Sequence, residues 1–338
     1  AVFTNPISEI SSVGDVIEIC GQSTQEAALK LYVNGQLVQE GQGTKIKHNY
    51  TLSQGGDYHF EFIATAGDEE AKAEAFTCVA SVPELEARPA GVDMGIYYDD
   101  NDPTKVTLCT YAASKTQAAK HVFVVGDFNE WKVSDEYQLK QDGNYFWIEL
   151  TGLTPKQEYA MQYVVVRADG VVKKISDLYS EKVLHKDDQW EPMKVDPTLM
   201  DYPSQGDGYV TVIQTAKPEY QWSDATLNFK RPNKNNLVIY EAWVYDHTVT
   251  RDIKGMTDRM FYYKDLGINA IELMPVQEFD GNLNWGYSPN HYFALDKAYG
   301  TPDQFKEFVD SCHAAGIAVI LDMVFNHATG LNPMNKLY

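Results

Sequence analysis

Three side chains that could bind or transform a ligand lie in the last hundred residues. Asp322 and His327 come at and just after the end of the apolar run Ile317–Val324, and Tyr287 follows Gly286 in a segment with turn residues. A carboxylate and an imidazole can exchange protons or accept hydrogen bonds. A ring in a loop is accessible to a ligand, whereas a ring in a strand run is not. Residues of these types at a strand end and in a loop are compatible with ligand binding.

The elements around these residues alternate between strand and helix. Leu237–Val244, Ile268–Met274 and Ile317–Val324 are near-continuous apolar runs, as buried parallel strands require. Helical spacing of apolar residues predicts a helix over 253–266, and Thr301 begins a second helix with a capping box. The order βαβαβ implies parallel strands with right-handed crossovers.

Two β-domains are predicted upstream of this pattern. Residues 1–85 alternate β-branched and aromatic runs with turn signals such as Asn34-Gly35, which favours a small immunoglobulin-like sandwich. A proline-containing linker follows, and residues 90–200 form a second set of strands with turns between them. Residues 236–338 hold the strand and helix alternation.

Composition limits the partners. The chain has 338 residues with 48 acidic and 28 basic side chains, a net charge of −20. Such a surface repels phosphate backbones and anionic lipid, so nucleic acid and membrane surfaces are disfavoured as partners. No apolar stretch reaches the ~18 residues of a membrane span. A neutral polymer is compatible with this charge, and so is a simple role in solubility.

The four cysteines do not form a metal-binding pattern. They are scattered without a CxxC spacing, so no zinc site is expected. Cys20 and Cys78 fall in the first domain and could form a disulfide or serve as small buried apolar side chains. The chain begins AVFTNP, so we expect a processed or trimmed product. The sequence does not fix the location, and we favour the periplasm or the cell exterior over the cytoplasm.

A series of ordered motifs resembles the α-amylase superfamily, glycoside hydrolase family 13. The last stretch is similar to the family's first conserved region, a strand that ends in Asp-x-x-x-Asn-His. The pattern is most similar to the branching-enzyme, isoamylase and trehalohydrolase-like subgroup. The motifs, in chain order, are Ile239–Glu241, Leu266–Val276, Asn284–Pro289, Tyr299–Pro302 and Asp322–His327.

The second domain resembles, more loosely, the β-sandwich that precedes the barrel in this subgroup and in glycogen-binding modules. The motifs that carry this resemblance are Val125–Trp131, Gly152-Leu153 and Asp177–Ser180. The expected fold class is therefore multidomain: two all-β immunoglobulin-like sandwiches followed by the first part of a (β/α)8 TIM barrel.

The resemblance implies retaining cleavage of α-1,4 or α-1,6 glucosidic bonds through two carboxyl groups ~5 to 5.5 Å apart. In the family the nucleophile follows the fourth strand and the acid comes later, whereas this sequence reaches Tyr338 just after the third. The 338-residue chain is therefore expected to lack the catalytic residues and to be inactive alone. The alternatives are a branching transglycosylase and, in another class, a non-catalytic glucan-binding protein.

The same resemblance implies roles for residues that are present. Tyr287 would stack on the sugar at the cleavage point, with Trp285 in the same subsite. His327 would hydrogen-bond that sugar's primary hydroxyl, and Asp322 would organise the strand end. Asn326 would supply a calcium ligand in the members that bind the ion, although no cofactor is required.

Other candidates have a structural and a functional interpretation. Glu241 and Glu272 lie within strand runs, and we interpret them as buried structural carboxylates that need partners. Trp131 and Trp147, with Tyr145, could form a glucan-stacking platform, although a Trp in such a turn is more often part of a core. The expected partners are an α-glucan and, at the open sheet edge, the remainder of the barrel or a second copy of the chain.

Overall fold

The computed structural model describes residues 1–113, 118–189 and 196–337. The N-terminal domain is all-β and buries an apolar core that includes Leu29, Leu31, Phe60 and Phe62. None of the helices in the described ranges has the length and apolarity needed to cross a bilayer. The strands of the first domain are β1 (Val2–Phe3), β2 (Ile10–Ser11), β3 (Val16–Val33), β4 (Gln36–Thr51), β5 (Gly56–Ala66) and β6 (Glu69–Val79).

These six strands form one hydrogen-bonded sheet in the order β1-β3-β5-β6-β2, with β4 also paired to β3. The pairing of β3 with β4 is interrupted between Gln22 and Ala27, where the long strand can change direction. Because the structure has a single continuous sheet here, the immunoglobulin-like assignment of this domain stays a prediction. Cys20 and Cys78 are both free thiols, so the disulfide alternative is wrong.

The second domain is a sandwich of two antiparallel sheets. One sheet has the order β10-β11-β8-β7, and the other has the order β13-β12-β15-β14 with β9 also on β12. Because β15 pairs with β12, the sandwich extends past the predicted boundary at residue 200. Its strands are β7 (Gly95–Tyr98), β8 (Val106–Tyr111), β9 (Ala119–Gly126), β10 (Lys140–Asp142), β11 (Tyr145–Leu150), β12 (Glu158–Arg167), β13 (Val172–Ile175), β14 (Val183–Leu184) and β15 (Val210–Gln214).

The third region contains a three-stranded parallel sheet in the order β16-β17-β20, and a β18–β19 hairpin projects from it. The predicted βαβαβ order is present. The elements are α1 (Asp224–Leu227), β16 (Ile239–Ala242), α2 (Val244–His247), α3 (Ile253–Thr257), α4 (Met260–Asp265), β17 (Ala270–Leu273), β18 (Gln277–Phe279), β19 (Pro289–Leu295), α5 (Pro302–Ala314), β20 (Ala318–Leu321) and α6 (Pro333–Leu337).

The two predicted helices differ in outcome. α5 begins with the predicted capping box, in which Thr301 Oγ1 accepts from Gln304 N at 3.1 Å and Gln304 Oε1 accepts from Thr301 N at 2.9 Å. The predicted helix over 253–266 is instead divided into α3 and α4. Thr257 Oγ1 donates to Ile253 O at 3.1 Å just before the break, and such threonine back-bonding bends helices.

The sandwich and the third region share a buried polar interface. Ser176 Oγ and His291 Nε2 lie 2.8 Å apart, and both side chains are buried. The Lys297 ammonium pairs with the Glu278 carboxylate and lies 3.3 Å from Asp188 Oδ1. Buried charges are retained only when they are paired. These contacts fix the β18–β19 hairpin against the sandwich.

Candidate functional site

The predicted site residues meet at the carboxyl end of β20. The Tyr287 hydroxyl donates to Asp322 Oδ2 at 2.6 Å, and His327 Nε2 lies 2.7 Å from the carbonyl oxygen of Tyr287. Tyr287 is 38% exposed and His327 is also exposed. The structure therefore brings three of the four predicted substrate-binding residues into one hydrogen-bonded cluster that opens to solvent.

A compact turn between β18 and β19 places Tyr287. Asn284 Oδ1 accepts from Gly286 N at 2.9 Å, and Gly286 has a φ of +94°, which L-residues rarely adopt. A Cβ at this glycine would overlap the carbonyl oxygen of Pro275. The turn therefore needs glycine both for its φ and for its close approach to the chain after β17.

Trp285, the fourth predicted residue, lies beside the cluster. Its side chain is 61% exposed, and its ring lies edge-on to Trp243 with the centroids 6.4 Å apart. Trp243 Nε1 donates to Asn284 O at 3.1 Å, which attaches the turn to the end of β16. Trp285 thus extends the accessible aromatic surface next to Tyr287, although no contact joins it to Asp322 or His327 in the part of the chain the structure describes.

Carboxylates surround the Tyr287 hydroxyl. Its hydrogen bond to Asp322 is the main cause that raises the pKa of Tyr287 to about 12, followed by burial and by the charges of Glu241 and Glu272. Glu241 and Glu272 are register partners on adjacent parallel strands. The phenol therefore stays protonated at neutral pH and is held as a hydrogen-bond donor.

Among the described residues, the two strand glutamates are less buried than the sequence predicts. Glu241 is exposed and Glu272 is half-buried. Alternate positions of the strands face opposite sides of the sheet, and Tyr240, Ile271 and Val319 pack into the apolar core below the helices. The glutamates therefore lie on the opposite face, which no helix of the described ranges covers.

Asn326 does not stand in a calcium site in this structure. The side chain is exposed. It offers one amide oxygen, whereas calcium takes six to eight oxygen ligands. Among the described residues, the group of three or more His, Cys, Asp or Glu side chains that lie close together is His59, Glu61 and Glu74 in the first domain, which does not include Asn326. The calcium role of Asn326 therefore stays a prediction.

Trp131 is part of a domain interface. It is 7% exposed, its Nε1 donates to Asp127 Oδ1 at 2.8 Å, and it packs in the same apolar cluster as Cys78 of the first domain. An indole so buried has no open face for a sugar. The expectation that Trp131 belongs to a stacking platform is corrected because the first domain covers that turn.

The linker covers the other half of the predicted platform. Trp147 is 5% exposed and its Nε1 donates to the carbonyl oxygen of Glu86 at 3.0 Å. The Arg88 guanidinium carbon lies 3.5 Å from the centroid of the Tyr145 ring. Residues of the linker pair with Gln141 at the edge strand β10, which brings the linker against both rings. The platform is therefore closed by backbone pairing that side-chain patterns do not reveal.

Two further residues support the cluster and were missed in the sequence. The Gln277 side chain donates to Tyr292 O at 3.1 Å and accepts from Val324 N at 3.3 Å. The Tyr292 hydroxyl donates to His327 O at 3.1 Å. Together they hold the chain after β20 against the β18–β19 hairpin. The sequence signal for Gln277 was its place directly after Pro275-Val276 at the end of an apolar strand run.

Family models match two parts of the chain. Residues 223–334 match the α-amylase catalytic domain, and residues 93–180 match carbohydrate-binding module 48, the isoamylase N-terminal domain. The first match contains the Tyr287, Asp322 and His327 cluster. The second match lies within the sandwich that packs against the region of the first match.

Curated relatives share the same regions. A malto-oligosyltrehalose trehalohydrolase of Saccharolobus solfataricus is 33% identical over 49% of this chain and 27% of its own length. A 1,4-α-glucan-branching enzyme of Eremothecium gossypii is 29% identical over 72% of this chain and 34% of its own length. The chain thus spans about a quarter to a third of the length of these relatives.

Solved structures agree with the fold. A putative α-amylase from Salmonella typhimurium superposes with a TM-score of 0.53 at 25% identity, over 72% of this chain and 35% of that chain. A pullulanase from Anoxybacillus sp. LM18-11 superposes with a TM-score of 0.52 at 18% identity, over 96% of this chain and 49% of that chain. Residues 93–180 thus match carbohydrate-binding module 48 and residues 223–334 match part of the α-amylase catalytic domain, and together with the branching-enzyme relatives these matches support a place for the chain in the α-amylase superfamily, glycoside hydrolase family 13, beside its branching-enzyme and isoamylase-like members.

Proposed function

We propose that the protein acts on α-glucans and cleaves or transfers α-1,4 or α-1,6 glucosidic bonds by retaining double displacement. The observation that carries this proposal is the cluster of Tyr287, Asp322 and His327 at the carboxyl end of β20. Sites in (β/α)8 barrels lie at the carboxyl ends of the strands. We propose that the cluster is the donor-sugar subsite, and its position at a strand end and its side chains support this.

Each residue has a role that its contacts support. The Asp322 carboxylate accepts from the Tyr287 hydroxyl and so fixes the plane of an exposed ring that can stack on the apolar face of a pyranose. A backbone carbonyl can only accept, so His327 Nε2 carries the proton that it donates to Tyr287 O. In neutral His327 this leaves Nδ1 as an acceptor for a sugar hydroxyl. Trp285 widens the aromatic surface of the subsite.

The nucleophile and the acid belong to later strands in the resemblance, and the described residues contain three parallel strands. We therefore propose that residues 1–338 alone do not turn over glucan. The edges of β16 and β20 then accept either the remaining barrel strands or a second copy of the chain, because unpaired strand edges recruit partners. The first domain would be an immunoglobulin-like accessory unit, and the protein would act in the periplasm or outside the cell.

Branching transfer is the second candidate, since a 1,4-α-glucan-branching enzyme is among the relatives. Transfer and hydrolysis share the first half-reaction and differ in whether a sugar hydroxyl or water completes it. The experiment is to incubate the protein that carries the whole barrel with amylose and to measure reducing ends and α-1,6 branches. New reducing ends without branches favour hydrolysis, whereas branches without net release of chains favour transfer. If amylose is unchanged in both assays, the proposed substrate class is wrong.

A further inference from the structure

A cavity of about 340 Å³ lies between the sandwich and the β18–β19 hairpin. The cavity lies where β7, the edge strand of one sheet, approaches the ends of β12 and β15 of the other. Its volume falls at the lower end of the ~300 to 1,000 Å³ that small-molecule sites occupy. The side chains that matter for recognition are Tyr98, Tyr179, Phe293, Glu158, Lys182 and Gln214.

The aromatic side chains provide an open ring face on a fixed base. Tyr179 and Phe293 stack with their centroids 4.9 Å apart and their planes at 14°. Phe293 is 54% exposed, so part of its ring stays accessible beside Tyr179. Tyr98, which is 43% exposed, provides a second accessible ring on β7. Exposed aromatic side chains are placed this way where ligands are bound by ring contact.

Close packing and a hydrogen bond hold the aromatic base of the cavity in place. Gly95 has a φ of +120°, and a Cβ there would lie 3.2 Å from both Cβ and Cγ of Tyr179. The Tyr179 backbone N–H donates to the buried Asp177 carboxylate at 2.7 Å. Strand and turn therefore hold the Tyr179 ring in position before any ligand binds, which reduces the entropic cost of binding.

Polar groups complete the wall. Lys182 Nζ lies 2.7 Å from Glu158 Oε1, and the Tyr98 hydroxyl accepts from Gln214 N at 3.2 Å. Each of these groups has hydrogen-bonding capacity beyond the contact that it makes. A paired lysine and glutamate present both donors and acceptors without a net charge. The lining holds two glutamates, Glu158 and Glu181, and two lysines, Lys182 and Lys217, so it has no net charge and fits an uncharged polyhydroxyl ring better than an anion or a cation.

We propose that this cavity binds a segment of α-glucan at a site separate from the Tyr287 cluster; the choice of ligand rests on the proposed function. The site also differs from the predicted platform of Trp131 and Trp147, because both of those indoles are closed off by the first domain and the linker. Phe293 belongs to the third region and Tyr98 to the sandwich, so a bound chain spans both and is held on the enzyme beside its barrel.

The test is titration of the 338-residue chain with maltoheptaose by calorimetry, with cellohexaose as the β-linked comparison. We expect Phe293→Ala and Tyr98→Ala, on separate strands, each to weaken binding about tenfold, which corresponds to about 1.4 kcal/mol. Phe293→Tyr keeps the ring and retains binding. Phe261→Ala, at a ring on α4 that is 69% exposed, is the matched surface control and leaves the affinity unchanged. Circular dichroism confirms that each variant is folded.

Two outcomes overturn the inference. In one, the wild-type chain does not bind maltoheptaose at millimolar concentration. In the other, Tyr287→Ala abolishes binding while Phe293→Ala and Tyr98→Ala bind as the wild type does, which places the ligand at the barrel cluster. Neither result affects the proposed function, because that is decided by turnover of amylose on the protein with the whole barrel.

Discussion

The Tyr287 hydroxyl donates a hydrogen bond of 2.6 Å to Asp322 Oδ2, across 35 residues of sequence. This contact joins the loop after β18 to the end of β20, and His327 adds a second tie to the backbone of the same tyrosine. Two segments that are distant in the chain thus form one rigid surface. Positioning of this kind is what a glycosidase subsite needs, because small displacements of bound sugar cost rate.

Tyr287→Ala in the protein with the whole barrel is expected to lower kcat/KM. The loss of stacking and of the hydrogen bond to Asp322 should raise the corresponding activation free energy by about 1 to 3 kcal/mol. Tyr287→Phe keeps the ring and loses only the hydroxyl, so we expect a smaller loss. Steady-state kinetics on maltooligosaccharides measures both. Equal and negligible effects of the two substitutions would place the sugar elsewhere.

His327→Ala is expected to lower kcat/KM by a similar amount, about 1 to 3 kcal/mol, with little change in folding stability because the side chain is exposed. Thermal unfolding of the same variant separates the two effects. His313, half-buried on α5, provides the control substitution His313→Ala. A His327→Ala variant with wild-type kinetics would contradict the role given to its Nδ1.

Gly286→Ala is expected to destabilise the loop by more than the ~1 to 2 kcal/mol that a left-handed conformation costs an L-residue, because the new methyl also meets the Pro275 carbonyl. Gly281→Ala is the matched control. Gly281 has a φ of +73° and nothing within 4 Å of its Cβ position, so this variant bears the conformational cost alone. Urea unfolding compares the two free energies. Equal losses would mean that the close approach at Pro275 has no energetic consequence.

The buried His291 predicts a pH dependence of stability. Burial, with the charges of Lys297 and Lys336, lowers its pKa to about 3, so the folded protein binds this proton less well than the unfolded chain does. Its contribution is therefore present above about pH 6.5 and is lost as the pH falls toward 3, by at most about 1.4 kcal/mol per pH unit. In the His291→Gln variant, the urea concentration at the midpoint of unfolding should depend less on pH between pH 6.5 and 4 than it does in the wild-type protein.

The half-buried His48 of β4 provides the control for this measurement. His48→Gln should leave the pH profile with the wild-type slope between pH 6.5 and 4. If His291→Gln and the wild-type protein lose stability in parallel over that range, the imidazole does not govern the transition.

The sequence predicted those parts of the structure that local rules determine. Apolar runs located the three parallel strands, and Thr301 with Gln304 located the start of α5. The Tyr287 and Asp322 pair was reachable through motif resemblance but not through spacing, since the two residues are 35 positions apart in sequence and meet only in the tertiary structure.

The failures have tertiary causes. Trp147 is closed by the backbone of Glu86, and no side-chain pattern encodes which edge strand a linker will join. Glu241 is exposed among the described residues although its sequence neighbours are apolar, because its side chain lies on the sheet face opposite the helices.

The central claim is tested most directly by turnover of amylose, measured in parallel for residues 1–338 and for the protein with the whole barrel. The account predicts that the whole barrel produces new reducing ends or α-1,6 branches with retained anomeric configuration, and that residues 1–338 produce neither. Activity of residues 1–338 that survives repurification and is lost on substitution of Asp322 would contradict the account, as would a complete barrel that leaves every α-glucan unchanged.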